Sequence, residues 1–274
     1  MVKSIMIQGT SSGVGKTILT LALCRIFKED GHRVCPFKPQ NITENTCYTS
    51  SGDEIAISQW LQAKAAGVDP TAHMNPVVLK PSPQGMQAIV KGKSIKTPDF
   101  SNSTQLRKQL RPVIVDSYAH ISSKYDIVVI EGAGSPVELN LNKNDIVNMG
   151  MAEIAKSPVI LVADVDRGGV FASLFGTVNL FTESERVYCK ASIVNRFMGE
   201  PRLFSEGVAI LEEITKLPVV GVVPRIKIDL PEEDGLRSEV NEDSSYEKQF
   251  SLISDTVRKS LNMNMVYEIL EKGV

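Results

Sequence analysis

Gly9-Thr10-Ser11-Ser12-Gly13-Val14-Gly15-Lys16-Thr17 is a glycine-rich turn set between two different periodicities. The apolar run Ser4-Ile5-Met6-Ile7 leads into it and reads as a buried strand. The pattern from Ile18 to Phe27 leads out of it and reads as a helix. Strand, turn and helix in that order make a phosphate cradle, because the N–H groups of the turn and the positive end of the helix face one point. The backbone of Gly13, Val14 and Gly15 is expected to wrap nucleotide phosphates. Lys16 is expected to reach the β- and γ-phosphates, and the Thr17 hydroxyl to sit on Mg²⁺. The common form of this motif is one residue shorter between its glycines. The variant here keeps the Gly-Lys-Thr end that does the chemistry.

Around this turn the chain has the make-up of a globular protein. Its 274 residues are 42% hydrophobic and 23% charged, with a net charge of −2. Such a balance points to neither a nucleic-acid nor a membrane surface. No apolar run approaches the roughly 20 residues of a membrane span, and the N-terminus enters the first strand without a signal-peptide pattern. Cys24, Cys35, Cys47 and Cys189 show no CxxC spacing. The first two lie in apolar runs and read as core thiols, so a reduced, cytoplasmic protein is expected. His32, His73 and His120 are scattered and read as surface residues.

Along the chain, apolar strands keep ending in polar residues. Arg33-Val34-Cys35-Pro36-Phe37 stops at Lys38-Pro39-Gln40-Asn41, so Lys38 is either a second phosphate-facing cation or a solvated loop lysine. Residues 42–53 form a polar stretch typical of an active-site loop. Asp53 and Glu54 are expected to open a helix from Ile55 to Ala66, either for its dipole or as metal ligands. Two short strands, Asn75 to Pro81 and Gln87 to Gly92, flank a turn and depart from simple strand–helix alternation. A helix is expected from Asn102 to Ser123.

Asp126-Ile127-Val128-Val129-Ile130-Glu131-Gly132-Ala133-Gly134-Ser135 is the second strong motif. A carboxylate at such a strand tip holds Mg²⁺ in P-loop enzymes, so Glu131 reads as a metal residue, against a purely structural glutamate. A helix with an acidic first turn is expected from Asp145 to Ala155. The strand Pro158 to Ala163 ends in Asp164-Val165-Asp166-Arg167-Gly168-Gly169, and the strand Lys190 to Val194 ends in Asn195-Arg196. Asn195 would read a base edge or make a local turn. A helix from Leu203 to Thr215 and a strand from Pro218 to Val223 complete the series. Apolar strands alternating with helices predict an α/β fold with a doubly wound, mostly parallel sheet of P-loop type. Its carboxyl edge would collect Lys16, Thr17, Lys38, Glu131, Asp164, Asp166 and Asn195, which points to an ATP-using enzyme. From Asp229 to Glu247 the chain turns acidic and reads as a linker, after which Phe250 to Leu270 has helical spacing.

Several strings are specific enough to carry a resemblance. The P-loop variant, Phe37 to Asn41, His73-Met74-Asn75-Pro76-Val77, Glu131 to Pro136, Asp145-Ile146-Val147-Asn148-Met149-Gly150 and Asp164 to Ser173 together resemble the cobyric acid synthase family, over about residues 3–236. The parent superfamily resembles that of dethiobiotin synthetase, with the same loop spacing and Glu-Gly-Ala-Gly. The resemblance implies ATP- and Mg²⁺-dependent amidation of peripheral carboxylates on a corrinoid, adenosylcobyrinic acid a,c-diamide, through an acyl phosphate. It implies Lys16 and Lys38 as the cations, Thr17 and Glu131 as Mg²⁺ holders with Asp53 or Glu54 completing the shell, and the Asp164–Gly169 loop near the substrate with Arg167 as a carboxylate clamp. Members also carry a glutaminase domain, with a nucleophilic Cys and a catalytic His. No cysteine here sits in a glycine-flanked elbow, and Tyr246 to Leu270 resembles the family's last helices. The expected organisation is an amidoligase domain over 1–236 and an acidic linker plus helical tail over 237–274, with ammonia from a separate glutaminase subunit or from solution. A homodimer is among the assemblies the superfamily implies. The rival readings are another ligase of the same fold and a regulatory P-loop ATPase; the latter group carries a lysine where Ser11 stands, which argues against it.

Overall fold

A computed structural model describes residues 2–82, 85–95, 103–140, 145–231 and 245–274. At its centre is a six-stranded sheet in the order Val219–Pro224, Cys189–Phe197, Val159–Asp164, Lys3–Gly9, Ile127–Glu131, Val34–Phe37, with every neighbouring pair parallel. Side chains alternate along each strand between two apolar layers. Ile5, Ile7, Ile127, Val129, Ile160 and Val162 join one layer. Met6, Val128, Ile130, Leu161 and Ala163 join the other. Burial on both faces is why these strands are apolar at nearly every position. The helices Lys16–Glu29 and Ile57–Ala66 cover the first layer. Ser103–Ser122, Met149–Ala155, Val170–Leu180 and Ser205–Thr215 cover the second. This is the doubly wound α/β sheet the alternation predicts.

Strand order reverses beside Lys3–Gly9. The chain leaves it for the edge strand Val34–Phe37, returns to Ile127–Glu131, and then crosses to Val159–Asp164 on the other side. Ligands of open α/β sheets bind beyond the carboxyl ends of the strands at such a switch point. The P-loop follows the strand at the reversal, and Glu131 ends the strand beside it.

Three element boundaries differ from the sequence expectation. Glu54 belongs to a short strand, Glu54–Ala56, paired with Thr46–Tyr48, and the helix begins only at Ile57. Cross-strand pairing took Glu54 before helix dipole attraction could. The helix expected from Asp145 starts at Met149. Asp145 stands outside it, and its carboxylate accepts from the backbone N–H groups of Val147, Asn148 and Gly150 at 2.8–3.2 Å. The strand expected to stop at Val194 runs to Phe197, so Asn195 and Arg196 are strand residues. The hairpin excursion is confirmed: Val77–Ser82 pairs antiparallel with Gly85–Val90 in a second sheet that also holds Gln40–Ile42 and Lys93–Ile95.

Two helices, Ser245–Ser260 and Met263–Lys272, close the chain. Phe250, Ile253, Val257, Leu261, Val266 and Leu270 share an apolar cluster with Leu23, Ile26 and Phe27 of the P-loop helix. Arg258 donates to the carbonyl of Ile26 and pairs with Glu29 and Asp30. A Cβ on Gly221 would lie 2.2 Å from the carbonyl oxygen of Ser260, so close docking requires glycine there. The tail therefore braces the back of the P-loop helix. Phe250→Ala should cost about 3–5 kcal/mol of stability, read as a lower urea midpoint, because the phenyl ring is fully enclosed. The region read as an acidic linker also begins with structure: Leu230 is buried in the same cluster and Ile228 packs against it. Its residues 232–244 lie outside the described residues.

Candidate active site

The P-loop is shaped by contacts that exclude side chains. Gly15 precedes the helix with φ +97°, and a Cβ there would lie 2.1 Å from Asn195 Nδ2. A Cβ on Gly9 would lie 2.5 Å from Val14. The Asn195 amide donates to the carbonyl of Val14 at 2.8 Å. Asn195 thus ties the P-loop to the strand Cys189–Phe197 rather than making a local turn. Lys16 is buried and spans the cradle, donating to Ser11 O at 2.9 Å and Gly134 O at 3.0 Å. A nucleotide phosphate would replace these neutral acceptors with charged ones, which bind an ammonium more strongly.

Glu131 collects the rest of the site. Its carboxylate is almost wholly enclosed. Oε1 accepts from the Thr17 hydroxyl at 2.8 Å and from Lys38 Nζ at 2.9 Å. Oε2 accepts from Gln62 Nε2 at 2.6 Å. Gln62 also donates to Thr17 O at 3.3 Å, so one amide bridges the P-loop helix and the acidic strand tip. Gln59, one turn earlier, accepts from Asn41 Nδ2 at 3.0 Å. Lys38 is itself buried, which an unpaired ammonium would not tolerate. It is a structural counter-ion as well as a lining cation of the cleft.

The loop after Glu131 is held by Asn148. Its Nδ2 donates to Ala133 O at 2.7 Å and Ser135 O at 3.1 Å, and its Oδ1 accepts from Ala133 N at 3.1 Å. Asp145 in turn orders the segment that carries Asn148. These groups frame a cleft of about 480 Å³, within the range of small-molecule sites. Lys16, Thr17, Lys38, Asn41, Glu131 and Arg196 line it, and Ile228, Leu230 and Pro231 add an apolar side.

Of the residues read from sequence, Lys16, Thr17, Lys38 and Glu131 come together as expected for a phosphate and metal site. Asp53 and Glu54 do not line the cleft. Asp53 pairs with Lys93 at 2.8 Å, and that partner holds its carboxyl below the usual range; Glu54 pairs with Lys80 at 2.8 Å. The β-pairing of Glu54–Ala56 turned this acidic pair into salt-bridge partners of the second sheet. Asp164 and Arg167 also stand back from the lining. The Asp164 carboxylate is buried against Arg196 at 3.1 Å, and Arg167 lies over Gly13. Gln62, Gln59 and Asn148 were not singled out. Glutamines three residues apart, flanking the apolar pair Trp60-Leu61 in a helical run, are the signal that marks the first two. Burial pushes Cys24 and Cys35 far above the ordinary thiol range and Cys189 up to about 12, so these are core thiols. His73 and His120, far apart in sequence, stack at 4.0 Å away from the cleft lining.

The donor set suits a nucleotide with Mg²⁺. A hydroxyl and a carboxylate are hard oxygen ligands, and Mg²⁺ is commonly held by one carboxylate, phosphates and water. Among the described residues no group of three or more His, Cys, Asp or Glu side chains is placed to hold a metal. Thr17 and Glu131 would hold the ion, and the ion would neutralise phosphate charge.

A family model described as an AAA domain matches residues 3–229. The chain belongs to that family. As an AAA-domain protein it is a nucleotide-binding protein. It is 50% identical over 232 residues to a cobyric acid synthase of Clostridium acetobutylicum, covering 84% of this chain and 47% of that protein. It is 47% identical over 248 residues to a cobyric acid synthase of Alkaliphilus metalliredigens, covering 90% of this chain and 49% of that one. The chain spans about half the length of the curated relatives it matches. The motif resemblance to the synthases therefore extends over most of the chain. Among solved structures, a signal recognition particle receptor FtsY of Elizabethkingia anophelis superposes with a TM-score of 0.48 at 18% identity, covering 91% of this chain and 65% of that one. No helix among the described residues is long and apolar enough to cross a membrane.

Proposed function

We propose that this chain is an ATP-dependent carbon–nitrogen ligase that amidates peripheral carboxylates of adenosylcobyrinic acid a,c-diamide on the way to cobyric acid. The observation that carries the reading is the convergence of Lys16, Thr17, Lys38 and Glu131 in one cleft of a chain about half identical to cobyric acid synthases. A carboxylate is a poor electrophile. Its oxygen attacks the γ-phosphorus, ADP leaves, and an acyl phosphate remains; ammonia then attacks the acyl carbon, loses a proton, and phosphate leaves. Phosphoryl transfer of this kind needs positioning and charge neutralisation rather than a protein nucleophile. Lys16 supplies a cation at the P-loop, and Lys38 pairs with Glu131 in its enclosed position. Mg²⁺, when bound by Thr17 and Glu131, offsets charge on the transferring group. Ammonia comes from a separate glutaminase or from solution, and a cytoplasmic location goes with this chemistry.

The test is ADP release from Mg-ATP with the diamide, run with ammonium chloride and separately with glutamine. Corrinoid-dependent turnover with ammonium but not glutamine supports the reading. Turnover with glutamine alone would overturn the ammonia assignment. Turnover on diaminopelargonic acid instead would move the chain to the dethiobiotin synthetase type.

A further inference from the structure

Among the described residues Arg196 is the one cleft-lining cation that no sequence motif assigned a task. It lines the cleft with Lys16 and Lys38, yet it comes from the opposite half of the sheet, near the end of Cys189–Phe197. Among the described residues its one partner is Asp164, whose Oδ2 accepts from Nη1 at 3.1 Å. Asp164 Oδ1 accepts from the backbone N–H of Asp166 at 2.8 Å, and Oδ2 also faces Arg167 Nε at the longer distance of 3.7 Å, so both oxygens are used. The Asp164 side chain is 4% exposed and the Arg196 side chain 37%. Asp164 can reach Arg196 but not a ligand. A guanidinium has five N–H donors in a rigid fork, and Asp164 takes one of them.

The backbone at Arg196 is also unusual. Its φ is +61°, a region that L side chains rarely adopt. Among the described residues three other non-glycine residues share this sign, Lys91, Lys156 and Lys216. Lys156 and Lys216 end helices, where such a conformation is common, and Lys91 sits in a hairpin turn. Arg196 alone of the four lies within a strand, where the pairing with Val219–Pro224 shifts register between Val194 and Phe197. Strained backbone of this kind persists where the surroundings over-determine it. The determinant is adjacent: Asn195 is bound to Val14 of the P-loop, which fixes where Arg196 stands relative to the phosphate cradle.

We propose that Arg196, set by Asp164, is the oxyanion clamp of the cleft. This rests on the reading above that a phosphoryl group passes to a substrate carboxylate here. The clamp binds one of the two reacting oxyanions, the phosphoryl group in transfer or the carboxylate receiving it, through the guanidinium fork. It takes over the role that the motif reading gave to Arg167. Asp164 is then a positioning residue.

The test compares the native chain with Arg196→Met, Arg196→Lys, Asp164→Asn and Arg167→Met, using three probes: Mg-ADP, Mg-ADP with aluminium fluoride, and the diamide. Arg196→Met should bind Mg-ADP within about twofold of native, which also reports that the cradle is folded. It should lose about 10- to 100-fold in the aluminium fluoride response if the clamp holds the phosphoryl group, or in diamide affinity if it holds the carboxylate. Arg196→Lys should restore part of the loss, Asp164→Asn should lower kcat with a smaller loss of affinity, and Arg167→Met should cost less than Arg196→Met on both probes. If Arg196→Met does not bind Mg-ADP, the double variant Arg196→Met/Asp164→Asn, which leaves no buried carboxylate, is read in its place. An unchanged response to both probes would overturn the clamp. If the native chain ignores the diamide, the proposed substrate falls, and Arg196 is judged on aluminium fluoride alone, where a native response overturns it.

Discussion

Glu131→Ala should destabilise the chain by about 3–5 kcal/mol, because it strips a buried ammonium of its carboxylate. Lys38 and Glu131 have side chains 4% and 1% exposed, and they meet at 2.9 Å. Burial of such a pair is tolerated only while both members are present and otherwise hydrogen-bonded. Glu131 meets that condition through Thr17 and Gln62. Removing Lys38 instead leaves the carboxylate with these donors and with Gln59 Nε2 at 3.5 Å, so Lys38→Met should cost less than Glu131→Ala. The double variant Lys38→Met/Glu131→Gln removes both charges and should recover most of the loss. Urea unfolding of the four chains checks the order. If Glu131→Ala and the double variant unfold at the same midpoint, the pair is not what holds the two strand tips together. Nucleotide binding by the double variant should lose its Mg²⁺ dependence even where stability returns, since Glu131 would hold the ion as well as Lys38.

Lys16→Ala should lower nucleotide turnover about 10³-fold, or roughly 4 kcal/mol of barrier, on the scale of removing one preorganised donor from a developing charge. The fold should survive it. Lys16 donates to two neutral carbonyls, Ser11 O and Gly134 O, each worth about 1 kcal/mol net. A melting point only a few degrees lower, with turnover almost gone, separates a phosphate-binding role from a structural one. A proportionate loss of both would mean that Lys16 acts mainly as the strap between the two loops. Lys16→Arg should rescue little, because the planar fork replaces a compact point charge in an enclosed position.

Both experiments address groups that stand at the end of a strand, and this is where sequence and structure divide. Strand periodicity is local. Ile127 to Ile130 had to be buried on both faces whatever the rest of the chain did, so the parallel sheet and its two helical layers were legible from the pattern. The P-loop was legible for the same reason: a strand, a Gly-Lys-Thr turn and a helix are neighbours in sequence and become one cradle in space. Glu131 and Lys38 followed, because strands of one parallel sheet bring their carboxyl ends to one edge.

The sequence by itself determined the fold class, the phosphate cradle and the four residues Lys16, Thr17, Lys38 and Glu131, since each is set by the element that immediately precedes it. The tertiary structure decided how those residues are partnered. Whether Glu54 would serve a metal or a salt bridge depended on pairing with Thr46–Tyr48 and on Lys80, contacts a helix-dipole argument does not contain. Gln62 reaches Glu131 across 69 residues, Asn148 grips the loop after Glu131, and Asn195 reaches Val14 across 181. Arg196 lines the cleft beside Asn195, from a strand on the far side of the P-loop strand. Side-chain hydrogen bonds between elements distant in sequence have no periodicity to announce them, so only the packed sheet edge shows which polar groups meet.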